Sequence, residues 1–248
     1  MKHNVKNLGM LMMGLAVVLV TTVINPSLIL AKEVRIAIID SGATAHVDEA
    51  ISFSSYPANT DPLHHGTVVS QLIRQGAPEA HLYMLQVCEH RDGKLKPSVD
   101  AVKDAIRWAI ANSIDVVNMS LVIEYDQEID RLITDASIQH GILFIAASGN
   151  NAMKSQFAMD ANGFMTRNKS SGVITFPASN KYVISVGGLN KQGKVARYSD
   201  QVSDIYTDGK VMGQEGSSFS CARISAKVAE ILKLSQANNK SSMLAYLK

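Results

Sequence analysis

Two kinds of hydrophobic pattern alternate along the chain from about residue 34 onward. Continuous apolar runs predict strands that are covered on both faces; they lie at residues 34–40, 80–88, 114–122, 142–150 and 182–189. Segments whose apolar residues recur every three or four positions predict amphipathic helices; they lie at residues 66–76, 97–113 and 128–141, with a last helix beginning near Ser218. Pro97 is placed at the start of the second helix, where a missing backbone N–H costs nothing.

Strands that alternate with helices predict an α/β fold. We expect three layers, with a mostly parallel central sheet and helices on both of its faces. No domain boundary is evident, so residues 32–248 are predicted to form a single domain. The polar segment 151–175, with Gly163 and Gly172, is interpreted as a long surface loop.

Residues 1–31 have the layout of a secretory signal peptide. Lys2 and Lys6 precede an apolar run at residues 8–20, and Ala31 is the expected last residue before cleavage. The alternative is an uncleaved membrane anchor, although the run is short for a full span. The chain is therefore predicted to be secreted or periplasmic, or else membrane-anchored and facing outside the cytoplasm.

Composition changes this picture little. Hydrophobic residues make up 46% of the chain, charged residues 19%, and the net charge is +2, all ordinary for a globular protein. The absence of a basic run with interleaved aromatics argues against a nucleic-acid partner. Cys88 and Cys221 are compatible with one disulfide or with two buried thiols, and their spacing does not predict a zinc site.

Polar side chains follow several of the predicted strands, at the edge of a parallel sheet where ligands and chemistry gather. They are Asp40 after the first strand, Asn118 and Ser120 on the third, and Asn150 after the fourth, while His65 begins the first helix and Ser218 the last. An acid, an imidazole and a hydroxyl at one edge are the parts of a serine-hydrolase triad.

The segments around these residues resemble the subtilisin-like serine proteases, the subtilase or peptidase S8 family. In order along the chain they are "IAIIDSG", "HGTVV", "GAPEAHLYMLQV", "VVNMSL", "AASGN", "FPASNKYVISVGGL" with "ARYSD", and "GSSFSCA". The order Asp, His, Ser is that of subtilisin. Single segments are weak signals, whereas their shared order is specific.

The resemblance implies a role for each aligned residue. Ser218 would be the nucleophile, His65 the general base, and Asp40 the group that orients the imidazole. The side-chain amide of Asn150 and the N–H of Ser218 would stabilise the oxyanion. Two segments would bind the substrate backbone, one formed by Ser120, Leu121 and Val122 and the other by Ala147, Ser148 and Gly149.

Taken singly, each of these residues has a structural interpretation. Asp40 and Asn150 fit turns, and Ser218 fits a helix cap. His64 and Asn151 are neighbours that compete for the roles of His65 and Asn150. The family motifs select His65, which directly precedes a glycine, and Asn150.

Several positions depart from the family pattern. Val122 stands where the family has Gly, which predicts a preference for small side chains before the cleaved bond. Cys221 replaces a small Ala and is interpreted as a packed residue. No propeptide is apparent between residue 31 and the first strand, so the enzyme either folds unaided or has a separate inhibitor or folding partner. No cofactor or metal is predicted; Asp48 and Asp61 are conceivable calcium ligands, but a calcium site is not assignable.

The sequence thus predicts an exported serine endopeptidase that cleaves a peptide or protein substrate through an acyl-enzyme. The alternative is a catalytically impaired protein of the same fold that binds peptides or a partner protein. An esterase ranks lower, because the Gly-x-Ser-x-Gly elbow is absent.

Overall fold

The computed structural model describes residues 32–91, 93–150, 174–199 and 202–248, together with the backbone of two short strands near residues 158 and 165. The predicted signal peptide at residues 1–31 and most of the predicted loop at 151–175 lie outside the described residues.

Parallel strands and flanking helices alternate along the described chain. In order, the strands are β1 (Arg35–Asp40), β2 (Glu49–Ser52), β3 (His81–Gln86), β4 (Cys88–Arg91), β5 (Lys94–Pro97), β6 (Val116–Met119), β7 (Leu143–Ala147), β8 (Ala158–Met159), β9 (Met165–Thr166), β10 (Val183–Leu189), β11 (Ile205–Asp208), β12 (Lys210–Val211) and β13 (Gln214–Glu215). The helices are α1 (His65–Gly76), α2 (Val99–Ala111), α3 (Gln127–Gln139), α4 (Ser217–Leu234) and α5 (Lys240–Leu247).

The central sheet has seven strands in the order β11-β10-β7-β6-β1-β3-β2. Every pairing in it is parallel. The short strands β4–β5, β8–β9 and β12–β13 form separate antiparallel pairs. Because β1, β6 and β7 are neighbours, the residues that follow their carboxyl ends meet at one edge of the sheet.

The two faces of the sheet are covered by different helices. Ile36 and Ile38 of β1 pack into a core that includes α1 and α4, whereas Ala37 and Ile39 pack into a second core that includes α2 and α3. This alternation is what a strand buried on both faces requires. The predicted three-layer α/β fold is confirmed.

Several elements differ from the sequence-based prediction. The strands β2 and β11 were not predicted; they lie at the two edges of the sheet and are only partly buried, so neither carries a continuous apolar run. Helix α2 begins at Val99, and Pro97 ends β5 instead of starting the helix.

Both cysteines are free and buried. Burial raises the pKa of the Cys88 thiol and of the Cys221 thiol to about 12, so both are protonated at neutral pH. Within the described ranges, none of the helices combines the length and the apolar character needed to cross a membrane.

Candidate active site

The sequence-predicted acid and imidazole meet at the carboxyl end of β1. Asp40, the last residue of that strand, is 3% exposed, and its Oδ1 lies 2.8 Å from His65 Nδ1. The same oxygen accepts a hydrogen bond from the Ser41 N–H at 2.7 Å. With Nδ1 held by Asp40, the other ring nitrogen of His65, Nε2, is the one available to accept a proton.

The carboxylate sets the basicity of the imidazole. Asp40 raises the pKa of His65 above its ordinary value of 6.5 through its charge and its hydrogen bond, and this effect exceeds the lowering caused by burial. Of the two adjacent histidines, His64 precedes the helix with a left-handed φ of 53° and makes no side-chain cap, whereas His65 opens α1 and pairs with Asp40. The geometry therefore favours His65 over His64.

Three serines stand at the amino end of α4, and only one of them is open to solvent. Ser217 and Ser220 are fully buried, while Ser218 is partly exposed. The Ser220 hydroxyl donates to the Thr207 carbonyl at 3.0 Å. Ser218 is thus the serine of this group that a substrate can reach.

Ser218 and Ser120 exchange a pair of hydrogen bonds. The Ser218 hydroxyl donates to the Ser120 carbonyl at 3.0 Å, and the Ser120 hydroxyl donates to the Ser218 carbonyl at 2.9 Å. The centre of the His65 ring lies 5.9 Å from the centre of the ring of Phe219, the residue that follows Ser218. Because a hydroxyl carries one proton, the Ser218 side chain must rotate before it can donate to His65.

Asn150, which follows β7, is oriented by Ser217. Its Oδ1 accepts hydrogen bonds from the backbone N–H and from the hydroxyl of Ser217, both at 2.9 Å. Since the oxygen is occupied, the Nδ2 group is left as the donor. A Cβ on Gly216 would lie 3.3 Å from Nδ2, so the glycine allows this close approach. The rival Asn151 lies outside the described residues.

A buried polar cluster joins β6 to α4 beneath these groups. Asn118 is fully buried and donates from Nδ2 to the Ser120 hydroxyl at 3.1 Å. Its Oδ1 accepts from the Ser225 hydroxyl at 2.9 Å and from the Cys221 thiol at 3.2 Å. Cys221 therefore packs and hydrogen-bonds inside the protein, as the sequence interpretation expected.

The two predicted substrate-binding segments lie after β6 and at the end of β7. The side chains of Leu121, Ala147 and Ser148 are buried, so only their backbone could contact a peptide. The Ser148 carbonyl already accepts from the Thr175 N–H at 3.1 Å. Val122, by contrast, is 44% exposed.

Val122 faces an open cleft of about 730 Å³. The cleft is bounded on the other side by the β4–β5 hairpin and the start of α2, and its lining residues are Arg91, Lys96, Pro97, Val99, Val122, Ile123 and Glu124. An extended peptide laid along the segment 120–122 would meet the Val122 side chain at this point.

The two acids considered as calcium ligands accept hydrogen bonds from other groups of the protein. Asp48 Oδ2 accepts from the Arg74 guanidinium at 2.6 Å and from the Leu82 N–H at 2.8 Å. Both oxygens of Asp61 accept hydrogen bonds from protein donors. In the part of the chain that the structure describes, no cluster of three or more His, Cys, Asp or Glu residues is suited to a metal.

Comparison with known proteins identifies the family. The model of the Subtilase family matches residues 31–247. The chain is 30% identical over 188 residues to the minor extracellular protease Epr of Bacillus subtilis, covering 70% of this chain and 26% of that protein. It is 28% identical over 190 residues to subtilisin E of B. subtilis, covering 70% of this chain and 45% of the relative. The chain thus spans less than half the length of these relatives.

Comparison of folds agrees. A crystal structure of a lanthipeptide protease superimposes with a TM-score of 0.61 at 19% identity, covering 79% of this chain and 72% of the other. At this identity the likeness concerns the fold alone. Since the family model matches residues 31–247, nearly the whole described chain, the chain belongs to the subtilase family.

Proposed function

We propose that this chain is an exported serine endopeptidase that uses Asp40, His65 and Ser218. The observation that supports it most directly is the 2.8 Å contact between Asp40 and His65. It leaves Nε2 of His65 as the free base, at the amino end of α1, where the ring of His65 lies 5.9 Å from that of Phe219 in the first turn of α4.

The proposed reaction begins with Ser218. After rotation of its side chain, His65 Nε2 takes the Ser218 proton while Ser218 Oγ attacks the peptide carbonyl carbon. Asp40 stabilises the imidazolium. His65 then gives the proton to the departing amine, which leaves an acyl-Ser218 ester. Water, deprotonated by His65, attacks this ester, and the proton returns to Ser218 as the acid product leaves.

The oxyanion of each tetrahedral intermediate would be stabilised by two donors. Asn150 Nδ2 is directed by the two hydrogen bonds that hold its oxygen. The Ser218 N–H belongs to the first turn of α4, whose N–H groups have no acceptor within the helix. The amino end of the helix also favours negative charge.

We expect Asn150→Ala to lower kcat by about 10²- to 10³-fold, the cost known for loss of an oxyanion donor in subtilisin. KM should change little, because the donor acts mainly in the transition state. Ser217→Ala keeps the side-chain amide of Asn150 but removes one of the two hydrogen bonds that orient it. We therefore expect a smaller loss of kcat than for Asn150→Ala. Steady-state kinetics on a peptide amide measures both; equal kcat for Asn150→Ala and the wild type would contradict the assignment.

Specificity is proposed to depend on Val122. Its branched side chain should disfavour large residues before the cleaved bond, and Val122→Gly should raise kcat/KM for Phe relative to Ala at that position by about 10-fold or more. Val202→Gly, at an exposed valine outside the cleft, is the matched control. Profiling with a peptide library checks this, and a wild-type preference for Phe or Tyr would contradict it.

The proposed location is outside the cytoplasm. It is supported by the signal-like residues 1–31 and by the similarity to Epr, an extracellular protease. Sequencing the amino terminus of the protein recovered from the producing cells tests cleavage after Ala31, and an intact Met1 on membrane-bound protein would support the anchored alternative.

One observation favours the second candidate, a catalytically impaired peptide-binding protein. The Ser218 hydroxyl is hydrogen-bonded to the Ser120 carbonyl, and no hydrogen bond joins Ser218 to His65 among the described residues.

Incubation with an unstructured protein such as casein separates the two functions. New peptides that disappear with His65→Gln support the endopeptidase, whereas binding without any cleavage supports the impaired protein. A separate inhibitor or folding partner remains part of the proposal.

A further inference from the structure

Asp61 is a buried acid in the loop that leads into α1. It is 7% exposed. Its Oδ2 accepts from the Thr67 N–H at 2.8 Å and from the Thr67 hydroxyl at 2.7 Å. Its Oδ1 accepts from the Ser41 hydroxyl at 2.8 Å and from the Leu63 N–H at 3.3 Å. The carboxylate is therefore built into the protein and is not a solvated surface group.

These contacts replace the missing cap of α1. The first N–H groups of a helix need acceptors from outside it. The residue before the helix, His64, supplies none from its side chain. Instead, the Gly66 N–H donates to the Ser41 hydroxyl at 3.2 Å, and the Thr67 N–H donates to Asp61. Because His65 is the first residue of this turn, Asp61 and Ser41 fix the backbone that carries the imidazole.

Ser41 also connects Asp61 with Asp40. Its hydroxyl oxygen lies 2.8 Å from Asp61 Oδ1 and 3.2 Å from Asp40 Oδ1. The single hydroxyl proton is directed to the nearer carboxylate. Asp40 Oδ1 then accepts hydrogen bonds from the Ser41 N–H and from His65, but not from the Ser41 hydroxyl. The hydroxyl therefore does not offset the negative charge of Asp40.

The surroundings of His65 hold two negative charges. Asp40 on β1, and after it Asp61, hold the pKa of His65 above its ordinary value. Cys88 on β4 is also within the field of both carboxylates, but its thiol is neutral. From α4 the ring of Phe219 faces the imidazole and carries no charge. Among the described residues, the adjacent His64 is a further titratable side chain, and the thiol of Cys221 on α4 is neutral.

We propose that Asp61 is a positioning residue for the catalytic base: it caps the turn that carries His65 and adds a second negative charge beside the Asp40–His65 pair. This inference rests on the proposed function, in which His65 is the base. It predicts that Asp61 affects both the geometry and the titration of an imidazole that it does not contact by a hydrogen bond.

The test is the titration of His65 in Asp61→Asn, followed by NMR on the free protein and assigned with His65→Gln. The imidazolium loses one stabilising charge, so the pKa of His65 should fall by roughly half a unit to one unit. The acidic limb of kcat/KM should move to lower pH by the same amount. Activity on the alkaline plateau should fall several-fold, because the amide cannot accept at both former oxygens.

Two further variants separate charge from capping. Asp61→Glu keeps the charge but is too long for the cap, so the pKa of His65 should stay raised while the melting temperature falls. Asp48→Asn removes an acid that pairs with Arg74 in the last turn of the same helix, and it should leave the titration of His65 unchanged.

An unchanged titration of His65 in folded Asp61→Asn would overturn the proposal. If that variant does not fold, the titration of His65 is measured in Asp61→Ser, which is neutral and retains a hydroxyl acceptor. The same fall in the pKa of His65 is expected. The NMR titration needs no substrate. A wild type that hydrolyses no peptide would therefore overturn the proposed function in a separate experiment, and the two failures are distinguishable.

Discussion

Ser218→Ala is expected to abolish peptide hydrolysis, with a fall in kcat/KM on the order of 10⁴- to 10⁶-fold, as for loss of the nucleophile in other serine-protease triads. The alanine has no oxygen to form the acyl-enzyme, and the remaining groups can only bind and polarise the substrate. Initial rates on a chromogenic peptide amide measure the loss. Substrate binding should persist, because Ser218 is only partly exposed and its removal leaves the cleft in place.

The matched control is Ser220→Ala, one residue beyond Phe219 on the same helix. Its hydroxyl is buried and bonded to the Thr207 carbonyl, so this change should alter stability more than rate. We expect its kcat/KM to stay within about 10-fold of the wild type. Comparable activity in Ser218→Ala and in the wild type would show that another group is the nucleophile.

The second large effect is expected for Asp40→Asn, about 10⁴-fold in kcat near neutral pH. The neutral amide cannot stabilise the imidazolium. If its Nδ2 faces the ring, it also holds the tautomer in which the proton sits on Nε2, so that His65 is no longer a base. Rates across a pH series, with Asp48→Asn as the matched loss of one acid, measure the effect; a variant that keeps a tenth of the wild-type rate would contradict this role.

The same substitution should change how stability depends on pH. The folded-state pKa of His65 is raised above 6.5, so the ion pair with Asp40 stabilises the fold below that pH, and the contribution is lost as pH rises through the raised value. The melting temperature of Asp40→Asn should therefore fall further below that of the wild type at pH 5 than at pH 9. Calorimetry at the two pH values checks the sign.

The framework of the fold could be predicted because its main strands are buried on both faces. Strands such as β1 and β7 have side chains that enter both cores, which requires the continuous apolar runs visible in the sequence. The edge strand β2 is only partly buried, so no such run marks it. Pro97 was misplaced because a proline suits the first turn of a helix and the end of an edge hairpin equally well.

Asp40, His65 and Ser218 could be predicted as candidates for one site from motif order and from the rule that parallel strands end at one edge, and the structure shows the contact between Asp40 and His65. The sequence could not show how their neighbours would be used. Aspartate is a residue type that usually lies at the protein surface. The burial of Asp61 depends on its contact with Ser41, which is distant in sequence. The one signal was its position four residues before His65.

The hydrogen-bond acceptor of the Ser218 hydroxyl also could not be predicted from the sequence. The hydroxyl of a serine in the first turn of a helix can donate a hydrogen bond to a base or to any nearby carbonyl. Which acceptor it uses depends on the rotation of the side chain. Here the acceptor is the carbonyl of Ser120, which follows β6 and lies 98 positions before Ser218 in the chain. Motif matching identifies the residue but does not determine which of these hydrogen bonds it makes.

The most direct test of the central claim is the site of covalent attachment of a fluorophosphonate, mapped by mass spectrometry of proteolytic fragments. The reagent reacts with a serine only when a base removes its proton and donors stabilise the phosphoryl oxygen. A single adduct on Ser218, absent from His65→Gln and retained in Ser220→Ala, is the result expected here. Folded wild-type protein without an adduct, or with the adduct on another serine, would contradict it.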